Sequence, residues 1–275
     1  MQTEKLEQIQ QMTDSALELL NKALAEGKSD ALKRYLATMA KFYHYSFGNQ
    51  LLIAFQKPDA THVAGFNAWK KFNRFVKKGE KGIVILAPIT RVVGMVEEHC
   101  TDGTTDTKEL RRMVNVKPVY VFDISQTDGE PLPEFAQVNG DPSNHIARLK
   151  EIIAAKGIDL TYADNLGGAL GTSSGGRIAV LKGQEPAREF SVLVHELAHE
   201  LLHRGDRRQQ TTRKVRETEA EAVAYVVCQA IGLDCSTASS DYIQLYRGNQ
   251  ETLAESLDYI RNVANEIIAA ITEGP

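Results

Sequence analysis

The spacing of apolar residues predicts helices at the start of the chain. Apolar side chains recur every three or four positions through residues 3–26 and 28–44, and the GKSD break between them suits a helix end followed by a new N-cap. The same period continues through residues 38–60 and stops at Lys57 and Pro58, because proline cannot continue a helix.

Strand-like patterns follow these helices. Residues 65–82 predict a short helix that ends at Gly79, and the β-branched run at 83–96 predicts a strand. A polar stretch, EEHCTDGTTDTKE, separates this run from a second strand-like run at 114–125. Two long strands with an exposed connection are therefore expected.

The second half of the chain has a different pattern. Residues 126–141 concentrate glycine, proline and acidic side chains without periodicity, which indicates a domain boundary. Beyond it, the sequence predicts an amphipathic helix, strands at 159–164 and 175–183 around a Gly-Ser loop, and then mainly helices. The expected fold class is α+β with two domains. These are an α+β domain over residues 1–128, a linker over 129–141, and a mostly helical domain with a small β-sheet over 142–275.

Composition and charge fit an ordinary folded protein. Of the 275 residues, 43% are hydrophobic and 25% are charged, which argues against wholesale disorder. The net charge of −4 is small, so a nucleic-acid surface would have to be a local patch. The N-terminus lacks the pattern of a secretory signal, and the apolar runs are far shorter than the ~20 residues of a membrane span. With three cysteines at no metal-like spacing, these features predict a cytoplasmic protein without a membrane partner.

The stretch SVLVHELAHELLH, residues 191–203, places histidines in an apolar helix-forming run. His195 and His199 are four positions apart, so both imidazoles project from one helix face, roughly 6 Å apart along the axis, and can share one metal ion. Glu196 lies beside that face, where it can reach a water on the metal without being a ligand. The H-E-x-x-H arrangement therefore predicts a metal site with Glu196 as general base. Satisfied core histidines are the alternative.

The next predicted helix, residues 211–233, offers a third ligand. Glu217 and Glu221 are four positions apart and share a face, while Glu219 lies on another. Glu217 could bind the metal and Glu221 could accept a hydrogen bond from the distal nitrogen of a ligating histidine, or the two roles could be exchanged. An acidic, solvent-facing helix start is the structural alternative.

Other polar residues near the motif are assigned to different roles. His203 would lie about 12 Å from His195 along the axis, which is too far for the same ion, so it is expected to cap or charge the helix C-terminus. Glu200 is expected to be a solvated surface acid. Three later tyrosines could either stabilise an oxyanion or simply pack: Tyr225, Tyr242 and Tyr246.

A basic segment lies in the first half of the chain. Residues 70–81 carry six Lys or Arg side chains against Glu80, a net charge of +5, and aromatic residues recur at every third position from Phe66 to Phe75. This pattern is typical of an amphipathic helix with its aromatic side inward. It also fits a surface on which cations meet phosphates and an exposed ring stacks on bases.

The metal motif resembles a known family. HELAH followed after about twenty residues by ETEAE resembles the gluzincin-type peptidases, in particular the ImmA/IrrE-like zinc peptidases and the catalytic half of ArdC-like antirestriction proteins. The resemblance implies a zincin-like peptidase domain with one Zn²⁺ per chain, held by His195, His199 and Glu217. It also implies that the strand in GGRIAVLKG, residues 175–183, lies beside the substrate.

The first half is similar to the N-terminal single-stranded-DNA-binding domain of ArdC-like proteins. The similarity is carried by residues 45–89, with a W-K-K…V-K-K-G-E-K-G core, and by PVYVFDISQTDG at 118–129. It implies single-stranded DNA as a partner, and the polar residues among the implied contacts could equally be structural. The implied contacts are Lys70, Arg74, Lys77, Lys78, Lys81, Tyr45, Asn49 and Gln50.

The function expected from both halves is a DNA-associated zinc metallopeptidase that binds single-stranded DNA and cleaves a protein substrate near it. Zinc lowers the pKa of bound water from ~15.7 towards ~7, and Glu196 takes up the proton. One alternative is a single-stranded-DNA-binding antirestriction or protective protein with a structural, non-proteolytic zinc site. Another is a peptidase whose basic segment binds protein or nothing. A carboxylate beside the metal favours catalysis, since structural zinc sites are closed by four protein ligands.

Overall fold

The computed structural model describes residues 2–26, 29–99, 105–130, 142–233 and 250–272, which form a mixed fold of helices and sheets. The α-helices are α1 (Gln2–Ala25), α2 (Ser29–Lys41), α3 (Phe47–Gln56), α4 (Phe66–Lys71), α5 (Ser143–Ala155), α6 (Pro186–Leu202), α7 (Asp206–Gln210), α8 (Arg213–Ala230) and α9 (Gln250–Thr272). The strands are β1 (Val63–Gly65), β2 (Arg74–Val76), β3 (Ile83–His99), β4 (Thr105–Asp123), β5 (Thr127–Gly129), β6 (Asp159–Ala163), β7 (Gly171–Ser173) and β8 (Arg177–Leu181). None of the helices in these ranges combines the length and apolar character needed to span a bilayer.

The N-terminal sheet is built on a long antiparallel hairpin of β3 and β4, and β1 pairs with the other edge of β4. Both long strands extend further than the sequence predicts, because β3 continues to His99 and β4 begins at Thr105. The polar residues predicted as a connection join the ladder, which needs only backbone N–H and C=O groups. Residues 100–104 lie outside the described part of the chain.

The helix predicted over residues 65–82 ends early. α4 stops at Lys71, and Asn73 has a positive φ of 53°, a left-handed conformation that asparagine tolerates better than most residues. The chain then forms β2, which pairs antiparallel with β5. The prediction of a single helix as far as Gly79 is wrong. The aromatic residues keep their three-residue spacing beyond Lys71, so the sequence pattern does not mark the point where the helix ends.

The continuous helix predicted through residues 38–60 is also interrupted. α2 ends at Lys41, and α3 begins after Ser46, an N-cap residue with extended backbone (φ −61°, ψ 157°). α3 then ends at Gln56, immediately before the predicted stop at Lys57 and Pro58. The interruption allows α3 to pack separately on β3, against which its buried face lies.

The main hydrophobic core joins the two ends of the chain. Leu24 and Leu36 belong to the same buried cluster as Leu197, Val223 and Leu257, from α6, α8 and α9. α2 packs on α8 and α1 on α9, so the N-terminal helices support the helices of the second half. The domain boundary at 129–141 stays a prediction, since residues 131–141 lie outside the described ranges.

A small mixed sheet in the second half has the order β6-β8-β7, with β6 parallel and β7 antiparallel to β8. β6 and β8 fall within the strand-like runs at 159–164 and 175–183. β7 has only three residues, lies inside the Gly-Ser loop and is not predicted by the hydrophobic pattern. It is an edge strand and packs against α6, which brings a free strand edge to the H-E-x-x-H helix.

Asp123 ties the N-terminal sheet to the segments beside it. The residue is 1% exposed. Its carboxylate accepts hydrogen bonds from the backbone amides of Thr61, His62 and Ser125 at 2.7, 3.0 and 2.9 Å. Burial opposes ionisation, but hydrogen bonds from Ser125 and from the other amides hold the pKa of this carboxyl below its ordinary value.

We expect Asp123→Asn to lower the free energy of unfolding by about 2 kcal/mol near neutral pH, because one amide group cannot accept all of these hydrogen bonds. A folded-state pKa below the unfolded value stabilises the fold above about pH 4, and this contribution is lost as the pH falls through the folded-state pKa. Urea unfolding at neutral and at acidic pH should show a gap between wild type and variant that shrinks in acid. An equal gap at both pH values would contradict this role.

Candidate functional site

Helix α6 presents the H-E-x-x-H motif to a cleft. The helix begins with Pro186 in its first turn, where the missing N–H has no helical partner to lose. Leu193 and Leu197 are fully buried and hold the opposite side of the helix in the main core. His195 and His199 therefore line a cleft of about 910 Å³.

His195, His199 and Glu217 converge in this cleft. The Nε2 atoms of the two histidines are 3.2 Å apart, and Glu217 Oε2 lies 3.6 Å from His195 Nε2 and 3.4 Å from His199 Nε2. Tetrahedral coordination with bonds of ~2.0–2.1 Å places neighbouring ligand atoms ~3.3 Å apart. The three donors thus fit one divalent metal ion with little adjustment, and within the described ranges they are close enough together to hold one.

Glu221 lies at the far side of the His195 ring. Its Oε2 is 3.5 Å from His195 Nδ1, the position from which a carboxylate orients a ligating imidazole. Burial opposes protonation of His195, but hydrogen bonds to Glu217 and Glu221 raise its pKa to about 9. Hydrogen bonds from His195 and His199 hold the pKa of Glu217 far below its ordinary value. Protons and a metal compete for these donors, so metal binding is expected to weaken in acid.

Glu196 lies beside the three donors, and its carboxylate makes no hydrogen bond to the described part of the chain. It is 6% exposed, it lines the cleft, and burial raises the pKa of its carboxyl. A raised pKa makes this carboxylate a stronger base for taking up a proton. Gly171 on β7 makes room for it, because a Cβ at that position would lie 2.8 Å from Glu196 Oε1.

Glu200 is not the solvated acid that the sequence predicts. It is 2% exposed and accepts hydrogen bonds from Arg204 Nη2 at 2.6 Å, the Gly176 amide at 2.7 Å and Ser173 Oγ at 2.8 Å. Burial opposes its ionisation, but Arg204 and the two other donors hold the pKa of its carboxyl below the ordinary value. Glu200 thus fastens the β7–β8 turn to α6 and positions the edge strand against the metal donors.

The strand beside the cleft is β7 and not β8. β8 is hydrogen-bonded on both edges, to β6 and to β7, so its backbone has no edge left for a substrate. Residues 169–173, which include β7, form one wall of the cleft. The expectation that residues 175–183 lie beside the substrate is corrected accordingly.

Of the three candidate oxyanion donors, only one falls within the described ranges. Tyr225 is half-buried against the main core. Tyr242 and Tyr246 lie outside the described residues. No tyrosine is among the described residues that line the cleft.

A buried chain of polar groups leads from His199 away from the cleft. His199 Nδ1 is 3.0 Å from His203 Nδ1, and His203 Nε2 is 2.9 Å from Glu219 Oε2. Arg207 Nη2 donates to Glu219 Oε1 at 2.8 Å, and its guanidinium lies 3.6 Å from the centre of the Tyr259 ring. With His199 Nε2 free for a metal, its Nδ1–H donates to His203, whose Nε2–H then donates to Glu219.

We expect Glu219→Ala to weaken zinc binding about 10-fold, at the lower end of the effects of groups that orient metal-ligating histidines, because Glu219 acts on His199 through His203. Glu219→Gln should lose less, since its amide oxygen can still accept from His203. Competition with a chelator measures the affinity, thermal unfolding checks the fold, and Thr218→Ala on the same helix is the matched control. Unchanged zinc affinity in a folded Glu219→Ala protein would refute this role.

The basic aromatic segment, residues 66–81, exposes rings as well as lysines. Three phenylalanines are 47%, 44% and 59% exposed: Phe66, Phe72 and Phe75. Of the four aromatic rings in this segment, only that of Trp69 is buried, and its Nε1–H donates to Phe122 O at 2.8 Å. The exposed lysines among the implied DNA contacts are Lys70, Lys77, Lys78 and Lys81. The interpretation of these residues as a helix with its aromatic side inward is therefore wrong for three of the four rings.

Arg74, an implied DNA contact, has a structural role. It is 9% exposed, and its guanidinium donates to Thr127 Oγ1 at 2.9 Å and to backbone oxygens of residues 127–130. These hydrogen bonds tie β2 to β5. Because its donors are used inside the protein, the expectation of a DNA contact at Arg74 is corrected.

The implied contacts on α3 and just before it are also used within the fold. Asn49 bonds both the amide and the carbonyl of Leu86, each at 2.8 Å. Gln50 is fully buried and donates to the Phe42 carbonyl at 3.0 Å. Tyr45 packs edge-on against Phe42, and its hydroxyl is 3.4 Å from the Val63 carbonyl. Asn49 and Tyr45 therefore join α3 and its lead-in to the sheet, Gln50 joins α3 to the end of the α2 segment, and none of the three presents its bonded polar group to a nucleic acid.

Comparison with known proteins gives matches over both halves. Residues 6–122 match the family model described as the N-terminal domain of anti-restriction factor ArdC. The uncharacterised Bacillus anthracis protein pXO2-81 is 25% identical over 308 aligned positions, which cover 95% of this chain and 52% of the relative. The chain thus spans about half the length of the curated relative that it matches.

Solved structures of the antirestriction protein ArdC from plasmid R388 are similar in fold. The Mn(II)-bound form is 16% identical with a TM-score of 0.55, and the match covers 96% of this chain and 99% of that one. The metal-free form is 20% identical with a TM-score of 0.49, and covers 84% and 86%. Residues 6–122 thus match the ArdC N-terminal domain, and the fold of nearly the whole chain is similar to that of Mn(II)-bound ArdC.

Proposed function

We propose that this protein is an antirestriction protein that binds single-stranded DNA through its basic aromatic segment and carries a metal-dependent peptidase site in its second half. The first part is supported by the match of residues 6–122 to the N-terminal domain of an anti-restriction factor. The second part is supported by the side chains gathered in the cleft.

DNA binding by the basic aromatic segment follows from its exposed groups. Phenylalanine rings can stack on bases of any sequence, and lysines meet the phosphates between them. Lys70 already lies against an exposed ring, with its Nζ 4.8 Å from the centre of Phe66. A neighbouring groove of about 780 Å³ is lined by Lys78 and Lys81, together with Glu80 and the Lys57–Asp59 ion pair, so these two lysines extend the basic surface along a path that a strand can follow.

A divalent metal is proposed at His195, His199 and Glu217. The ArdC structure from plasmid R388 is described as Mn(II)-bound, and two imidazoles with one carboxylate are a ligand set of catalytic zinc sites. We propose Zn²⁺ for this chain because imidazole nitrogens suit zinc, whereas oxygen-only sets suit magnesium and calcium. When bound, such an ion lowers the pKa of water from ~15.7 towards ~7 and polarises a carbonyl oxygen.

The observation that carries the peptidase proposal is the position of the Glu196 carboxylate in the cleft, beside the three donors and without a hydrogen bond to the described residues. Its carboxylate takes a proton from the attacking water and returns it to the nitrogen of the leaving amine. A structural site usually closes its coordination sphere with four protein ligands and has no use for such a carboxylate. The exposed edge of β7 gives the substrate backbone a place along the cleft.

A second candidate is a DNA-binding protective protein whose metal is structural and which cuts no peptide. It is favoured by the description of the N-terminal domain, which names an anti-restriction factor and no hydrolase. The two candidates share the DNA surface and differ in what the metal site does.

Incubation with a mixture of DNA-associated proteins, with and without single-stranded DNA and a chelator, separates the two candidates. We expect the zinc-loaded protein to yield defined fragments by mass spectrometry, and we expect the chelator to abolish them. A protein that binds zinc and protects DNA but yields no chelator-sensitive fragment would support the structural role.

A further inference from the structure

Four arginines line the same cleft as the metal donors: Arg188, Arg208, Arg213 and Arg216. Building on the proposed peptidase function, we propose that the cleft binds a peptide segment that carries Asp or Glu side chains on both sides of the bond to be cut. Acidic residues flanking that bond would then be the substrate class that this site selects.

The arginines stand at both ends of the donor cluster. Arg188 precedes His195 by seven residues on α6, which places it on the same helix face about 10 Å away along the axis. Arg213 precedes Glu217 by one turn of α8, and its Nε lies 4.0 Å from Glu217 Oε1. An extended peptide advances ~3.3 Å per residue, so side chains two or three residues from the scissile bond can reach these positions.

Two of the cleft arginines have no acidic partner among the described residues. Within the described ranges no ion pair is found for Arg188 or Arg208, and both are exposed. Arg216 donates to the carbonyl oxygens of Arg208 and Thr211, which hold its guanidinium in place but leave its charge uncompensated.

Several arginines elsewhere in the described chain are paired with a carboxylate. Four of them contact a carboxylate at 2.6 to 2.9 Å, in the pairs Arg148–Glu151, Arg204–Glu200, Arg207–Glu219 and Arg261–Asp258. Three of the four guanidinium groups in the cleft thus have no ion pair with the described residues, whereas Arg213 lies beside Glu217. Guanidinium groups of this kind bind carboxylates in a bidentate manner, which gives both affinity and orientation.

The charge layout favours a peptide over a nucleic-acid strand. Between the arginine groups lie the carboxylates of Glu196, Glu217 and Glu221, which would repel a chain that carries a phosphate at every unit. A peptide can place neutral residues there and acidic residues at the two ends. The described cleft lining also contains no Phe, Tyr or Trp on which a base could stack.

Fluorescence anisotropy on the full chain with Glu196→Gln, loaded with zinc, tests this preference without turnover. The probes are a labelled peptide with a neutral centre and two Glu at each end, the same peptide with Gln for Glu, and oligothymidylate. We expect the Glu peptide to bind about tenfold or more tightly than the Gln peptide, and the difference to shrink at high salt. Adding Arg188→Glu or Arg208→Glu should remove about tenfold of affinity for the Glu peptide. Arg177→Glu, at an exposed arginine on β8 outside the cleft, is the matched control.

Equal binding of the Glu and Gln peptides would overturn the inference. So would a loss confined to oligothymidylate in the two arginine variants, because a nucleic-acid strand would then be the ligand of the cleft. The protein with native Glu196 separates the inference from the proposed function. Tight binding of the Glu peptide without any cleavage would support the acidic-peptide site and contradict the proposed peptidase function. Cleavage of both peptides at the same rate would support the peptidase function and contradict the preference for acidic peptides.

Discussion

Glu196→Gln is expected to reduce peptide cleavage by about 10²- to 10⁴-fold while the protein keeps its metal. Glutamine has nearly the shape of glutamate but cannot take up a proton. Glu196 lies in the cleft beside His195, His199 and Glu217, so the substitution removes proton transfer and leaves the metal donors in place. Rates on a cleaved protein substrate and zinc content per chain are the two measurements.

Glu185→Gln is the matched control for this prediction, because Glu185 is exposed at the start of the same helix and outside the cleft. It should leave both rate and zinc content unchanged. A Glu196→Gln protein that cleaves the substrate at the wild-type rate would show that Glu196 is not the general base. Loss of zinc in that variant would instead make Glu196 a ligand.

Reversing the charge of Lys78 and Lys81 together is expected to weaken binding of single-stranded DNA on the order of 10²-fold at low salt. Both lysines are exposed and line the groove beside the basic aromatic segment. Losing two phosphate contacts should also flatten the dependence of log affinity on log salt by about 1.4, at ~0.7 per contact for a single strand. Binding of labelled oligothymidylate across a salt series measures both effects.

The matched control reverses Lys182 and Lys214, which gives the same change in net charge in the second half of the chain. We expect it to retain wild-type DNA binding. Equal losses in both double variants would mean that net charge, and not this surface, attracts DNA. No loss in either would place the DNA elsewhere.

The donors of the metal site could be predicted because the constraints on them are local. Two histidines four residues apart must share a helix face, and Glu196 must lie beside that face. The spacing indicates both Glu217 and Glu221 and leaves their roles open, because positions along α8 do not show which side chain faces the histidines of α6. In the structure Glu217 lies on the Nε2 side of the histidines and Glu221 at His195 Nδ1.

The supporting residues could not be predicted, because their partners come from distant parts of the chain. Glu200 is buried by hydrogen bonds to the β7–β8 turn, which no helix period reveals. Glu219 occupies a different face of α8 from Glu217, and only the packing of α6 on α8 brings it to His203. The four cleft arginines likewise come from three helices.

In the N-terminal half, the sequence pattern likewise does not show which side chains are exposed and which are buried. Helical periodicity predicts Phe72 and Phe75 inside, but the left-handed turn at Asn73 ends the helix and leaves both rings exposed. Conversely, polar Asn49 and basic Arg74 are read as surface groups until their backbone partners are known. Which groups are available to DNA thus depends on tertiary hydrogen bonds that composition does not encode.

The most direct test of the metal centre is a zinc-edge anomalous crystal structure of the zinc-loaded protein. We expect a single ion with three protein ligands: His195 Nε2, His199 Nε2 and a Glu217 oxygen. The Glu196 carboxylate should lie near the ion but not be bound to it. An ion bound elsewhere, or one enclosed by a fourth protein ligand, would contradict this expectation.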